Sequence, residues 1–197
     1  MRALVDGVVA AGEQAKKFRG GSRMQSSHVG KLYAFGAAAF AIVIWGFAFN
    51  AAADSDKAQI QALEQQLAAA FAARDVDKVM QFYVPGEDLF VFDLIPPRQF
   101  VGAAAWRKNN EGFFTTVAVG SLTDEISDLD IAADGKLAFA HYTSHIVATD
   151  KGGAKTELVM RTTDGLKKIK GKWLIVLEHN SVPVELPSGK ADLMSKP

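Results

Sequence analysis

Arg161, His179 and Ser181, set among apolar residues in the C-terminal part of the chain, are the side chains whose chemistry is easiest to name. If Arg161 points inward with Val159 and Thr163, its guanidinium needs an anionic partner, because an unpaired buried cation is costly. Asp93, Glu178 or a ligand carboxylate could be that partner, and an arginine that fixes Asp164 or a dimer face is the alternative. His179 alternates with Trp173, Ile175 and Leu177, so strand periodicity predicts it on the apolar face. There it either exchanges a proton with a ligand or hydrogen-bonds a buried neighbour. Ser181 points the same way but lies about 6 to 7 Å further along the strand, too far for a serine-histidine dyad. It reads as a structural hydroxyl.

Other constellations fail on spacing. His141 and His145 on one strand would sit about 13 Å apart and cannot share a metal ion. The acidic run Asp124, Glu125, Asp128, Asp130 and Asp134 matches no calcium loop and reads as a solvated strand face. Gly152-Gly153-Ala154-Lys155-Thr156 lacks the glycine spacing of a phosphate loop and reads as a hairpin turn. No metal and no cofactor is expected.

The elements that position these residues come from a chain of 197 residues with 49% apolar composition, enough for one core. Six of the 22 basic residues but two of the 22 acidic ones precede Asp54, which leaves the remainder at 16 basic against 20 acidic. An acidic domain without a basic stripe does not suit nucleic acid, and no such partner is expected. The absence of cysteine excludes disulfides, thiolate nucleophiles and thiolate metal sites.

Residues 1–53 read as a leader. Leu32 to Phe49 is an uncharged run of 18 residues preceded by Lys31, and Ala51-x-Ala53 is a small-residue cleavage pattern. Met24 offers an internal start. A cleaved signal is favoured over an uncleaved anchor, in which case the run would be the chain's only membrane contact. Either way the basic flank precedes the run, and the domain from Asp54 is expected outside the cytoplasm, in a bacterium the periplasm.

From Asp54 the pattern turns helical, with Ile60, Leu63, Leu67 and Phe71 on one stripe. Asp75 caps a short second helix that Pro85-Gly86 stops. Leu89 to Asp93 reads as a strand and Ala103 to Phe113 as a third helix with Trp106 on its apolar side. Turns at Asp134-Gly135, Gly152-Gly153 and Lys170-Gly171 then predict a four-strand meander. Helices gathered before an antiparallel sheet indicate an α+β domain over 54–185, with 186–197 as a tail. Both sheet faces want cover, so a homodimer is expected.

This order, together with Asp75-Val76, Tyr83, Phe92-Asp93, Gly102 and the closing pattern Arg161-x-Thr163-Asp164, Lys168, Gly171-x-Trp173-x-Ile175, His179-x-Ser181-x-Pro183, resembles the SnoaL-like branch of the nuclear transport factor 2-like superfamily, a relative of ketosteroid isomerase. The resemblance implies a cone-shaped barrel, a curved antiparallel sheet covered by about three helices, with a pocket at its wide end. Tyr83, Trp106 and Tyr142 read as core aromatics, and the resemblance implies a cone in which some of them line that pocket. Asp93 sits where the isomerase places its general base, and a carboxylate at the rim of an apolar pocket gains basicity by desolvation; a strand-end residue capping the Pro96-Pro97 turn is the alternative. The isomerase tyrosine is replaced by Leu67, with Phe71 nearby, and its second oxyanion donor falls near Thr163, which argues against steroid-type isomerisation.

The resulting expectation is a pocket for a small apolar molecule bearing a carbonyl or carboxylate, with catalytic Asp93 and His179 and with Arg161, Thr163, Tyr83, Trp106 and Tyr142 as ligand contacts. Isomerase, dehydratase or hydrolase chemistry by proton transfer would follow. The rival is a non-catalytic binding or dimerisation module of the cell envelope, in which Asp93 and His179 stand apart or the cavity is filled.

Overall fold

The computed structural model describes residues 54–195. The leader, with its apolar run, cleavage pattern and internal start, lies outside them. Among the described residues no helix is long and apolar enough to cross a membrane.

Helix α1 covers residues 54–72. Its inward stripe is Ile60, Leu63, Leu67, Ala68 and Ala70, all buried, and Glu64 lies in the same stripe with no exposure at all. Each fully buried leucine or isoleucine contributes about 1.5 to 3 kcal/mol over leaving it in water, and this stripe holds α1 to the sheet. Near its start Asp56 accepts from Lys168 Nζ and, at 3.3 Å, from Trp173 Nε1, joining the helix to the far end of the chain.

The one-turn helix α2, Val76–Val79, is capped by Asp75, whose carboxylate accepts from the Lys78 amide at 3.0 Å. Just before it, Arg74 donates to the carbonyls of Phe114 and Val117 at 3.2 and 2.6 Å, so the α1–α2 turn is tied to the end of the third helix. Strands β1 (Phe90–Phe92) and β2 (Phe100–Val101) precede helix α3 (Ala103–Thr116). Entry to α3 requires Gly102 at φ 84°, where a Cβ would also meet the Glu87 carboxylate at 2.7 Å.

Strands β3 (Thr123–Asp134), β4 (Leu137–Thr149), β5 (Lys155–Ile169) and β6 (Lys172–Ser181) form the antiparallel meander that the turn signals predict. The sheet differs from the expected closed, antiparallel cone. It is an open six-stranded sheet ordered β2-β1-β6-β5-β4-β3, and β1 pairs with β6 in parallel. The parallel pair arises because β1 enters from the helical half of the chain, beside the last strand instead of a hairpin partner. The two-residue β2, absent from the sequence reading, is too short for any periodicity to mark.

One irregularity governs the site. Thr162, Thr163, Asp164 and Gly165 pair with Asn180, His179, Glu178 and Leu177, but the next pair is Leu166 with Ile175. Val176 is therefore an extra residue, a β-bulge, and it reverses which face the following residues occupy. Trp173 and Ile175 are buried before it, and Glu178 and Asn180 are buried after it. The expected continuation of one face through Leu177 and His179 stops at the bulge.

The C-terminal stretch folds back as a small hairpin, with Val184 bridged to Ala191, and the Val159 amide donates to the Leu193 carbonyl at 2.6 Å. It covers part of the sheet face away from the helices.

Candidate functional site

Between the helices and the sheet lies a cavity of about 400 Å³. Its apolar walls come from Leu67 and Phe71 of α1, Phe113 of α3, and Ile146, Leu158 and Met160 of the sheet. Ile95, Thr116, Asp150 and Thr156 are exposed lining residues and mark its mouth. Four of the seven predicted site residues line it: Asp93, Tyr83, Trp106 and Tyr142.

The other three do not. His179 is exposed on the opposite face of the sheet, its ring edge-on to Phe92 with centroids 5.6 Å apart. The bulge at Val176 turned it outward. Arg161 and Thr163 are exposed on that same outer face, where they share a groove with His141 and Pro183. Inward on β5 are Thr162 and Asp164 instead, and Val159 lies buried on the outer side, in the groove that Pro183 and Ser195 also line. Arg161 therefore needs no buried anion, and Asp93 and His179 are not brought together.

Glu178 and Asn180 take the inward positions. The Glu178 carboxyl, 5% exposed, accepts from the Tyr83 hydroxyl and from Asn180 Nδ2 at 2.7 Å. Thr162 Oγ1 donates to Asn180 Oδ1 at 2.8 Å and fixes the amide's orientation. Burial pushes Glu178 up to about 7, although the hydrogen bonds from Tyr83 and Asn180 favour its charged form; the charges of Asp93 and Asp124 add to the rise. A carboxyl poised there can both take and give a proton at neutral pH.

Behind it lie Asp164, directly opposite on β5, and Glu64 on α1, each without exposure. Neither makes a well-formed hydrogen bond, yet the two are close enough for each to affect the other's proton. Burial raises Glu64 to about 8, with the Glu178 charge adding to the rise, and raises Asp164 well above the ordinary carboxyl range. Both are held mainly as neutral acids at pH 7. Tyr83 and Tyr142 are raised as well, by burial first, and remain phenols.

Two further acids stand in the wall. Asp93 is raised by burial, partly offset by the Leu94 amide, which donates to Oδ1 at 2.8 Å, and by Asn109. Asp124 is raised by burial, offset by Ser144, whose hydroxyl donates at 2.5 Å. Among the described residues no group of carboxylates and imidazoles has the arrangement of a metal site.

Glu64 and Asn180 went unnamed in the sequence reading, Glu178 was offered only as a partner for Arg161, and Asp124, expected on a solvated strand face, stands instead in the cavity wall against Ser144. Glu64 carried a legible signal, since it follows Ile60 by four residues and precedes Leu67 by three. Glu178 did not, because its phase depends on the bulge.

A profile of the SnoaL-like domain matches residues 60–185. The chain belongs to the SnoaL-like domain family. Its fold is similar to that of a nuclear transport factor 2-like protein of unknown function from Pseudomonas putida KT2440, with 27% identity, a TM-score of 0.65, and 73% of this chain and 98% of that one covered. It is likewise similar to a nuclear transport factor 2-like superfamily protein from Salmonella enterica, with 18% identity, a TM-score of 0.62, and coverage of 71% and 99%. Comparison with curated proteins finds no match. The matched span holds every lining residue of the cavity, so the site belongs wholly to the SnoaL-like domain.

Proposed function

We propose that this SnoaL-like domain encloses a small, largely apolar molecule with one polar group and moves a proton on it without a cofactor, with Glu178 and Asp93 as acid and base. The observation that carries this reading is the Glu178 carboxyl, set in the cavity wall by Tyr83 and Asn180 and pushed up to about 7. Isomerisation, dehydration and hydrolysis all use such a pair. His179, on the outer face, has no part in this scheme.

The separation of Asp93 from His179 supports a second reading, a binding module without turnover. One experiment separates the two. Native mass spectrometry of the purified protein should show a retained small molecule, and Glu178→Gln should keep that mass while abolishing its conversion. Retention with no conversion by the wild type supports the binding module, and an empty wild-type cavity sinks both readings.

We further propose export, on the strength of the apolar run Leu32 to Phe49 and Ala51-x-Ala53, and a homodimer. The dimer is supported by Phe139 at 51% and Leu177 at 38% exposure, which flank Gly165 on the outer sheet face. In the same spectra a mature chain starting at Asp54 is expected; an intact apolar run would rule cleavage out.

A further inference from the structure

Among the described residues, four carboxyls line the cavity, Asp93, Asp124, Glu178 and, at its mouth, Asp150, and no lysine, arginine or histidine does. A ligand carboxylate would meet no counter-charge there, and would give up its hydration beside groups of its own sign. The arginine that the sequence offered for such a ligand stands on the other face of the sheet.

The hydrogen-bond inventory points the same way. Tyr83 and Asn180 donate to Glu178, Ser144 to Asp124, and Thr162 to Asn180. Asn110 Nδ2 donates to the Trp106 carbonyl at 2.9 Å, and Tyr142 lies near Asp164, whose oxygens make no well-formed hydrogen bond. The indole N–H of Trp106 is sealed from the cavity space and makes no hydrogen bond. The cavity's donors are thus largely spent on the protein's own acceptors, whereas a carboxylate offers about four lone-pair sites and these carboxyls use only some of them. Asp124 receives one side-chain hydrogen bond, from Ser144, and Asp93 one from the Leu94 amide, with Asn109 beside it. What remains unsatisfied in the wall is acceptor capacity, so the complementary group is a donor. The rings of Phe71, Tyr83, Phe113 and Tyr142 also line the cavity and suit an apolar frame, or a cation beside a ring face.

We infer that the cavity takes small apolar molecules whose polar end donates hydrogen bonds, an alcohol or a protonated amine, and rejects carboxylates. This rests on the cavity being a ligand site and adds the chemical class of its occupant.

Calorimetric titration of the purified full chain at pH 8 with 2-naphthylmethylamine, 2-naphthylmethanol and 2-naphthoate tests it, since the three share one frame and differ in the polar end. The amine and the alcohol should bind at least tenfold more tightly than the carboxylate. Asp124→Asn should narrow that gap about threefold, and Asp124→Lys should reverse the order of amine and carboxylate. Equal binding of all three overturns the donor requirement while the cavity remains a ligand site; tighter binding of 2-naphthoate also overturns it. If none binds to protein that circular dichroism shows to be folded, the ligand-site reading falls too.

Discussion

Glu64, Asp164 and Glu178 tie the stability of the domain to protons, because each is more easily charged in the unfolded chain than in the fold. Their folded pKa values are raised, so their contribution is fully present below about pH 4.5 and is lost as pH climbs through about 7 for Glu178 and about 8 for Glu64. Asp56 has the opposite sign: the hydrogen bond from Lys168 lowers its pKa, and its contribution is lost as pH falls through the folded value. The melting temperature is therefore expected to decline between about pH 4.5 and 8, and Glu64→Gln to flatten that decline. A wild-type melting temperature that holds constant from pH 5 to 9 would contradict the assignment. The spacing of Glu64 from Ile60 and Leu67 carried a signal for its burial that went unread, and the two acids that face it from the sheet carried none.

The β6 bulge and the entry to α3 are the elements on which the site depends. Hairpin turns at Asp134-Gly135, Gly152-Gly153 and Lys170-Gly171 were legible because glycine marks positions where other residues strain. The bulge was not, since Val176 differs in no property from a regular strand residue and becomes extra only by pairing with β5. That single unpaired residue decides that Glu178 and Asn180, and not His179, enter the cavity. At Gly102 the φ of 84° with ψ of 146° lies where only glycine is at ease. Gly102→Ala should cost about 1 to 3 kcal/mol, read as a lower urea midpoint with unchanged slope. An unchanged midpoint would show that the α3 entry relaxes freely.

At the scale of the molecule, the helices cover one face of an open sheet and leave Phe139, Leu177 and Phe92 partly exposed on the other. Apolar side chains grouped in this way on a domain surface mark contact surfaces. If the proposed dimer forms there, the wild type should sediment as a dimer at micromolar concentration, and Leu177→Glu should give folded monomers. A monomeric wild type would remove the dimer from the account and leave the cavity untouched.

What the sequence by itself determined was local or periodic: the helical stripe of α1, the Asp75 cap, the glycine turns, the meander, the α+β class, and the family through its closing pattern. Asp93, Tyr83, Trp106 and Tyr142 could be named through the family resemblance, and they stand in the cavity wall. The tertiary structure alone decided the parallel pairing of β1 with β6, the open sheet, and the inward turn of Glu178 in place of His179. These are set by which strands meet and in what register, and register is a relation between segments that no single segment encodes.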